Sequence, residues 1–158
     1  MVGIISGLET LSGTKVLISP NLPASEDAAG YKGVTGWVEF TGLATWGEWG
    51  DEESDVPVKF LGTGRILHLN GLKDGGEVEF TVHYVDDDPA SDLVKANEGS
   101  RTQFSVKKMY ASGDSEFSYG MFTSPKYAAE DGDNVRGYRG RFRSNGKVVA
   151  ATAEELAA

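Results

Sequence analysis

The sequence predicts a mainly β protein, an antiparallel β-sandwich or barrel with seven or eight strands and one short α-helix. Three observations lead to this fold class. Short segments of alternating apolar and polar residues dominate the chain, and turn-forming residues separate them. Glycine accounts for 21 of the 158 residues, well above ordinary usage. Only residues 88–97 have the composition and the ends of a helix.

The clearest predicted strand is Glu77–Val85, where even-numbered positions are apolar and odd-numbered positions up to 83 are polar. This alternation is typical of a sheet with one buried and one solvated face. The preceding Lys73-Asp74-Gly75-Gly76 predicts a turn that joins it to a strand at Arg65–Asn70. The other candidate strands are Lys15–Ser19, Gly36–Phe40, Ala44–Trp49, Val58–Leu61, Thr102–Tyr110, Glu116–Thr123 and Val135–Ser144.

The predicted helix begins after Asp88, a favourable N-cap, with Pro89 at its first position. Asp92 adds a negative charge to the first turn, where the helix dipole favours it. Asn97 and Gly99 predict its end. We expect about two turns with a narrow apolar face that packs on one end or edge of the sheet.

Composition and charge exclude several classes of protein. The chain of 16.9 kDa is long enough for one domain with a core of its own. With 24 acidic against 15 basic residues, its net charge is -9, which excludes a protein whose main function is to bind nucleic acid. The lack of cysteine excludes disulfide scaffolds, thiolate metal sites and cysteine nucleophiles. Neither a signal peptide nor a membrane-spanning segment is indicated by the sequence.

Three segments have too few apolar residues to order by themselves: Pro20–Gly33, Gly50–Pro57 and Ala150–Ala158. Each one alone is compatible with a solvated loop or a frayed end. Three in one small domain favour segments that become ordered on binding a partner.

The charges are unevenly distributed. Residues 26–55 contain eight acids and one base, whereas residues 136–147 contain five bases and no acid. Arg139, Arg141 and Arg143 share one face of a predicted strand, so we expect acidic groups to bridge them. The strip is either a solvated strand edge or a surface that meets the acidic segment of another copy.

Catalytic and metal-binding signatures are weak. His68 and His83 each stand alone in an alternating strand, and no hydrolase, zinc-protease or P-loop motif occurs. Gly62-Thr63-Gly64 resembles a phosphate loop, but no helix follows it. Residues 86–88 are explained by a turn and a helix cap. Glu130–Asn134 resembles part of a calcium loop but lacks its terminal glutamate and its helices.

A carbohydrate-binding module is the alternative function. Trp37, Trp46 and Trp49 could form a sugar platform near many acids, but a buried or inter-subunit surface explains them equally well. A carboxylate pair for glycoside hydrolysis, such as Glu39 and Glu48, has no specific support in the sequence.

The order of motifs resembles a known family. Trp46-Gly47-Glu48-Trp49 precedes the acidic segment Asp51–Asp55, and Gly62-Thr63-Gly64 follows. The most telling part is the turn-strand-helix block Leu72–Asn97, after which the chain is rich in strands. Over residues 14–149 this pattern resembles the major tail proteins, or tail tube proteins, of long-tailed siphophages of the lambda type. Some members carry an extra immunoglobulin-like domain after about residue 150, which we do not expect here.

The resemblance implies a structural virion protein rather than an enzyme, with no cofactor. Such proteins form hexameric rings that stack into a hollow tail tube, and the sheets of neighbouring copies join around the channel. Genomic DNA passes through without specific binding. The tape measure protein and the tail terminator and tip proteins are the implied partners, with no membrane. The protein would be made in the host bacterial cytoplasm and reside in the virion tail.

The resemblance also assigns parts of a single domain, residues 1–158. It implies an N-terminal arm (about 1–13), an inter-ring loop (about 50–64) and a C-terminal tail (about 150–158) that order on assembly. The predicted acids of the inter-ring loop are Asp51, Glu52, Glu53 and Asp55. The predicted lumen-lining residues are Glu39, Glu48 and Glu116, since acids there would repel phosphate. The basic strip, expected at a subunit contact away from the lumen, is Arg136, Arg139, Arg141 and Arg143.

Overall fold

A computed structural model describes residues 10–127, 132 and 135–157, which contain eleven strands and three helices. The strands are β1 (Lys15–Ser19), β2 (Val38–Glu39), β3 (Leu43–Trp46), β4 (Glu52–Phe60), β5 (Arg65–Asp74), β6 (Glu77–His83), β7 (Gln103–Met109), β8 (Ser115–Phe122), β9 (Lys126–Tyr127), β10 (Gly137–Ser144) and β11 (Val149–Ala151). The helices are α1 (Ala28–Lys32), α2 (Pro89–Ala96) and α3 (Ala153–Ala157).

Nine of these strands form one antiparallel sheet in the order β2-β1-β7-β8-β10-β6-β3, with β11 beside β8 and β9 beside β10. Only residues 40–42 separate the two outermost strands β2 and β3, so the sheet curls on itself. The ring of Phe40, in this link, lies 5.5 Å from the ring of Phe80 on β6. The predicted mainly β, antiparallel fold class is confirmed.

The main core fills the inside of this curled sheet. Its buried members are Val16, Ile18, Phe40, Val78, Phe80, Val82, Ala90, Val94, Phe104, Val106, Tyr138 and Phe142. The alternation predicted for β6 is confirmed, since Val78, Phe80 and Val82 are buried while Glu77 and Glu79 are exposed.

Helix α2 closes one end of this core, as predicted. The Asp88 carboxylate accepts hydrogen bonds from the Ser91 amide and hydroxyl, which makes it the N-cap. The same carboxylate accepts the amide of Gly42 and thereby ties the helix to the link between β2 and β3. The Ser91 hydroxyl lies 2.8 Å from the hydroxyl of Tyr138, and burial raises the pKa of this tyrosine to about 12.

Two helices that the sequence did not predict cover the opposite face of the sheet at β8. Tyr31 of α1 stacks on Phe117 of β8 with ring centroids 4.9 Å apart, and Leu156 of α3 packs against the same cluster. The N-cap of helix α1 is Asp27, whose carboxylate accepts a hydrogen bond from the Gly30 amide at 2.7 Å, and this hydrogen bond lowers the pKa of Asp27. The prediction of a single helix was therefore wrong. The first 9 residues of the expected N-terminal arm lie outside the described residues.

Candidate assembly surface

Strands β4 and β5 form a two-stranded ribbon separate from the main sheet. Val56 faces Leu69, Val58 faces Leu67, and Phe60 faces Arg65 across the ribbon. The chain reverses at residues 61–64, where Gly64 has a φ of +63°, a conformation that glycine adopts readily. The motif that resembled a phosphate loop is thus the tip of the ribbon.

This ribbon corrects two sequence predictions. The segment 50–64 is not a loop over its whole length, because β4 runs from Glu52 to Phe60. The turn at Gly75-Gly76 connects β5 to β6, but these strands do not pair with each other. Instead, β5 pairs with β4, and β6 pairs with β3 and β10.

The ribbon has one apolar face. Because directly opposed residues share a face and successive residues alternate, this face comprises Val56, Val58, Phe60, Leu67 and Leu69, and it ends in the exposed Arg65 near the tip. Its apolar residues, except the half-buried Val58, are 42 to 58% exposed. Within the described residues, neither β4 nor β5 contributes a side chain to a buried core cluster. We call this surface the ribbon apolar face.

The other face and the base of the ribbon carry charges. Glu52 lies opposite Asp74 and Glu53 opposite Lys73, while Asp51 precedes the strand. The carboxylate of Asp55 lies 2.9 Å from Nδ1 of His68, and both side chains are exposed. The four acids predicted for the inter-ring loop therefore lie at the base of the ribbon, while the apolar residues lie nearer its tip.

Tryptophans anchor the ribbon to the main sheet. The ring of Trp46, the last residue of β3, lies 5.3 Å from Phe80 and 5.8 Å from Trp49. Trp37 instead packs against Phe117 in the second core cluster. Because the three tryptophans are divided between two cores, the sugar platform considered from the sequence is not formed.

The basic strip has partners within the same chain. Arg141 lies 3.5 Å from Glu77 and 3.2 Å from Glu79, and the guanidinium of Arg143 donates to Glu77 at 2.8 Å. These acids bridge two of the three arginines for which the sequence predicted acidic partners. All of these groups are on the solvated side of β6 and β10, so each pair contributes little stability. Arg139 lies opposite Thr81 on the same face.

The three predicted lumen residues do not share one surface. The register through β1 and β7 places Glu39 on the same face of the sheet as Phe117. Glu116 precedes Phe117 on β8 and therefore points to the other face, where it accepts a hydrogen bond from the Tyr110 hydroxyl. Glu48 is exposed between β3 and β4.

Among the described residues there is no cluster of metal-ligating side chains and no helix long and apolar enough to span a membrane. The possible calcium segment Glu130–Asn134 lies outside the described residues except for Gly132. His83 is exposed at the end of β6. Asp86 and Asp87 precede the helix cap, in agreement with the turn predicted for residues 86–88.

The sequence contains a signal for the ribbon apolar face that the prediction of a loop overlooked. Apolar residues alternate at positions 56, 58 and 60 and again at 67 and 69. The four acids between residues 51 and 55 and the proline at 57 made this stretch resemble a loop.

No family model matches the chain, and no curated protein matches its sequence. Solved structures do share its fold. A chain in a cryo-EM structure of the anti-feeding prophage (AFP) baseplate has a TM-score of 0.59 at 8% identity, covering 95% of this chain and 99% of that chain. The SPP1 tail tube, from a hybrid solid-state NMR and cryo-EM structure, has a TM-score of 0.57 at 14% identity, covering 92% and 83%. The chain thus has a fold found in phage tail and baseplate structures.

Proposed function

We propose that this protein is a structural component of a phage tail that self-assembles into stacked hexameric rings forming the tail tube. The single observation that carries the proposal is the ribbon apolar face on a fold shared with a tail tube. A two-stranded ribbon in water is marginally stable unless another surface covers it. A second copy of the chain is the partner that self-assembly supplies.

The proposed tube is a conduit through which DNA passes without being held. Six copies with a charge of -9 each surround the channel with an excess of negative charge. Acidic groups repel the phosphate backbone, whereas a basic lining would bind it. Because Glu39 and Glu116 point to opposite faces, a lining formed by one sheet face contains one of them and not the other.

In this proposal the protein is non-catalytic and resides in the virion tail. Its contacts are with other copies of itself in the tube and with the tape measure and tail end proteins. The basic strip from Arg136 to Arg143 lies at a subunit contact. The neutralisation of Arg141 and Arg143 by Glu77 and Glu79 means that this contact does not require acids from another copy.

The direct test is assembly of the purified chain. Negative-stain electron microscopy should show rings or tubes, and light scattering should show a mass that increases with concentration. A chain that stays monomeric at high concentration contradicts the proposal.

The acidic base of the ribbon allows a second test. Replacing Glu52→Lys together with Glu53→Lys should impair polymerisation, because both residues lie where the ribbon leaves the body. The circular dichroism spectrum should not change, since both side chains are exposed. Normal polymerisation of the double variant shows that these acids lie outside the inter-ring contact.

A further inference from the structure

Exposed apolar side chains are concentrated at two places in the molecule. Of the thirteen large exposed hydrophobic side chains within residues 10–127, 132 and 135–157, seven lie on the ribbon or its tip. Four others form a second group that we call the far-end patch: Tyr84, Val85, Tyr127 and Val135. These four residues are between 39 and 67% exposed. Clusters of exposed apolar side chains often mark sites of interaction with other proteins.

The far-end patch is held together by backbone pairing. The amide of Tyr84 donates to the carbonyl of Arg136 at 2.8 Å, which brings β6 beside the residue that follows Val135. Tyr127 pairs with Tyr138 on the neighbouring strand. These contacts bring the exposed groups to one end of the sheet.

Two cations lie over the aromatic rings of this patch. The guanidinium of Arg136 is 4.1 Å from the ring centroid of Tyr84, and Nζ of Lys95 is 5.8 Å from that of Tyr127. The patch therefore combines an apolar surface with fixed positive charge at its border. Apolar centres with aromatic residues and arginine are typical of protein interfaces.

The two groups lie at opposite ends of the same strand. The ribbon leaves the sheet where β6 begins at Glu77, and Tyr84 follows the last residue of β6. Seven residues of strand separate these ends by about 20 Å. When two different surfaces of one chain are complementary, they form a head-to-tail contact that repeats along an axis.

We propose that the ribbon apolar face of one copy docks on the far-end patch of the next copy. This inference rests on the proposed function and deepens it, since it names the surface that receives the ribbon and gives the stack a direction. Both surfaces are apolar, and each copy has one of each. Every copy within the stack then uses its ribbon at one end and its far-end patch at the other.

The lack of cysteine in this chain allows a test by disulfide cross-linking between copies. One variant carries Leu67→Cys on the ribbon apolar face, and a second variant carries Tyr84→Cys in the far-end patch. Because each variant has one thiol, any cross-link joins two copies. The two are mixed, assembled and mildly oxidised. A disulfide requires the Cα atoms to be within about 7 Å, so it reports a direct contact.

The mixture should give a cross-linked dimer of the two variants, and neither variant alone should do so. The matched control is Ile66→Cys, because Ile66 is as exposed as Leu67 (51 against 52%) but lies on the other face of the ribbon. With Tyr84→Cys this control should cross-link at least about tenfold less. Equal cross-linking of both ribbon positions contradicts docking by the apolar face.

Other outcomes separate this inference from the proposed function. Tubes that form without the mixed cross-link overturn the inference and leave the function intact. Cross-linking of Leu67→Cys with itself also overturns it, since the ribbons then pair symmetrically. If the unmodified protein forms neither rings nor tubes, both the inference and the proposed function are wrong.

Discussion

The ribbon apolar face leads to a quantitative prediction about assembly. Leu67 is 52% exposed in the free chain, and a docked ribbon would bury this remainder. Full burial of a leucine side chain contributes about 1.5 to 3 kcal/mol, so burial of the exposed half contributes about 1 kcal/mol. Replacing Leu67→Ser should remove this contribution from each contact between copies. Since 1.4 kcal/mol corresponds to tenfold, the critical concentration for polymerisation should increase about fivefold.

A larger effect is expected when a second residue of the same face is changed. Leu69 is 58% exposed, so Leu67→Ser combined with Leu69→Ser removes about 2 kcal/mol per contact. This corresponds to an increase of about 30-fold in the critical concentration. The assay is sedimentation of polymer over a series of protein concentrations, with the soluble fraction giving the critical concentration.

The control is Ile66→Ser, because Ile66 has nearly the same exposure as Leu67 but faces the other side of the ribbon. This variant should change the critical concentration by no more than about twofold, as is usual for a surface substitution. The urea midpoint of the body should stay unchanged in all three variants, since the ribbon contributes nothing to its described cores. The reasoning is refuted if Ile66→Ser impairs assembly as strongly as Leu67→Ser does.

Three further predictions concern the body of the protein. Gly140→Ala should destabilise the fold by about 1 to 3 kcal/mol in urea unfolding, because the added carbon would lie 2.5 Å from the ring of Phe80; unchanged stability would show that the ring moves freely. Burial raises the pKa of Tyr138 to about 12 from 10.0, which means that the folded state favours the protonated phenol. This contribution to the free energy of unfolding is complete below pH 10 and is lost as the pH rises to 12. The loss of folding free energy amounts to about 2 to 3 kcal/mol. Tyr138→Phe should lose less stability over this pH range, although its missing hydrogen bond to Ser91 lowers stability by about 1 kcal/mol at neutral pH. Equal pH dependence of the two proteins contradicts the assignment. Arg141→Glu should weaken assembly most at low salt, and assembly that is equal to wild type at every salt concentration would place the strip outside the contact.

The elements that the sequence predicted well are those with one buried face. Strand β1 was predicted with its observed ends at Lys15 and Ser19. Strand β6 and helix α2 also agree within two residues. In these cases the alternation of apolar residues or the N-cap at Asp88 corresponds directly to a contact with the main core. Local pattern and tertiary packing point to the same structure there.

The elements that the sequence missed depend on contacts from distant parts of the chain. Helices α1 and α3 have five residues each, too few for a helical pattern to be visible. They form where Tyr31 and Leu156 cover Phe117 on β8. The first half of β4 has three acidic residues, which have low strand propensity, and it is ordered by its pairing with β5.

The sequence pointed to the segment that forms the ribbon but not to its apolar face. The acids between Asp51 and Asp55 lie in the first half of the ribbon, but the exposed apolar surface is formed by residues that follow them. Whether Val56 and Leu69 face the core or the solvent depends on what covers the ribbon, and periodicity alone cannot show this. The bridging of the arginines by Glu77 likewise depends on β6 and β10 being neighbours, which the sequence did not show.

The two faces of the ribbon together explain how such a surface can direct assembly without causing aggregation. An exposed two-stranded ribbon with apolar residues invites pairing with any other strand. Proline at position 57 removes a backbone donor from β4, and Lys59 lies on the face opposite the apolar one. Both features oppose pairing at the strand edge, and in the proposed docking the apolar face makes the contact instead. In the proposed docking, a contact by one face, received at the other end of the molecule, adds copies along one axis, which would extend a stack of rings rather than form a disordered aggregate.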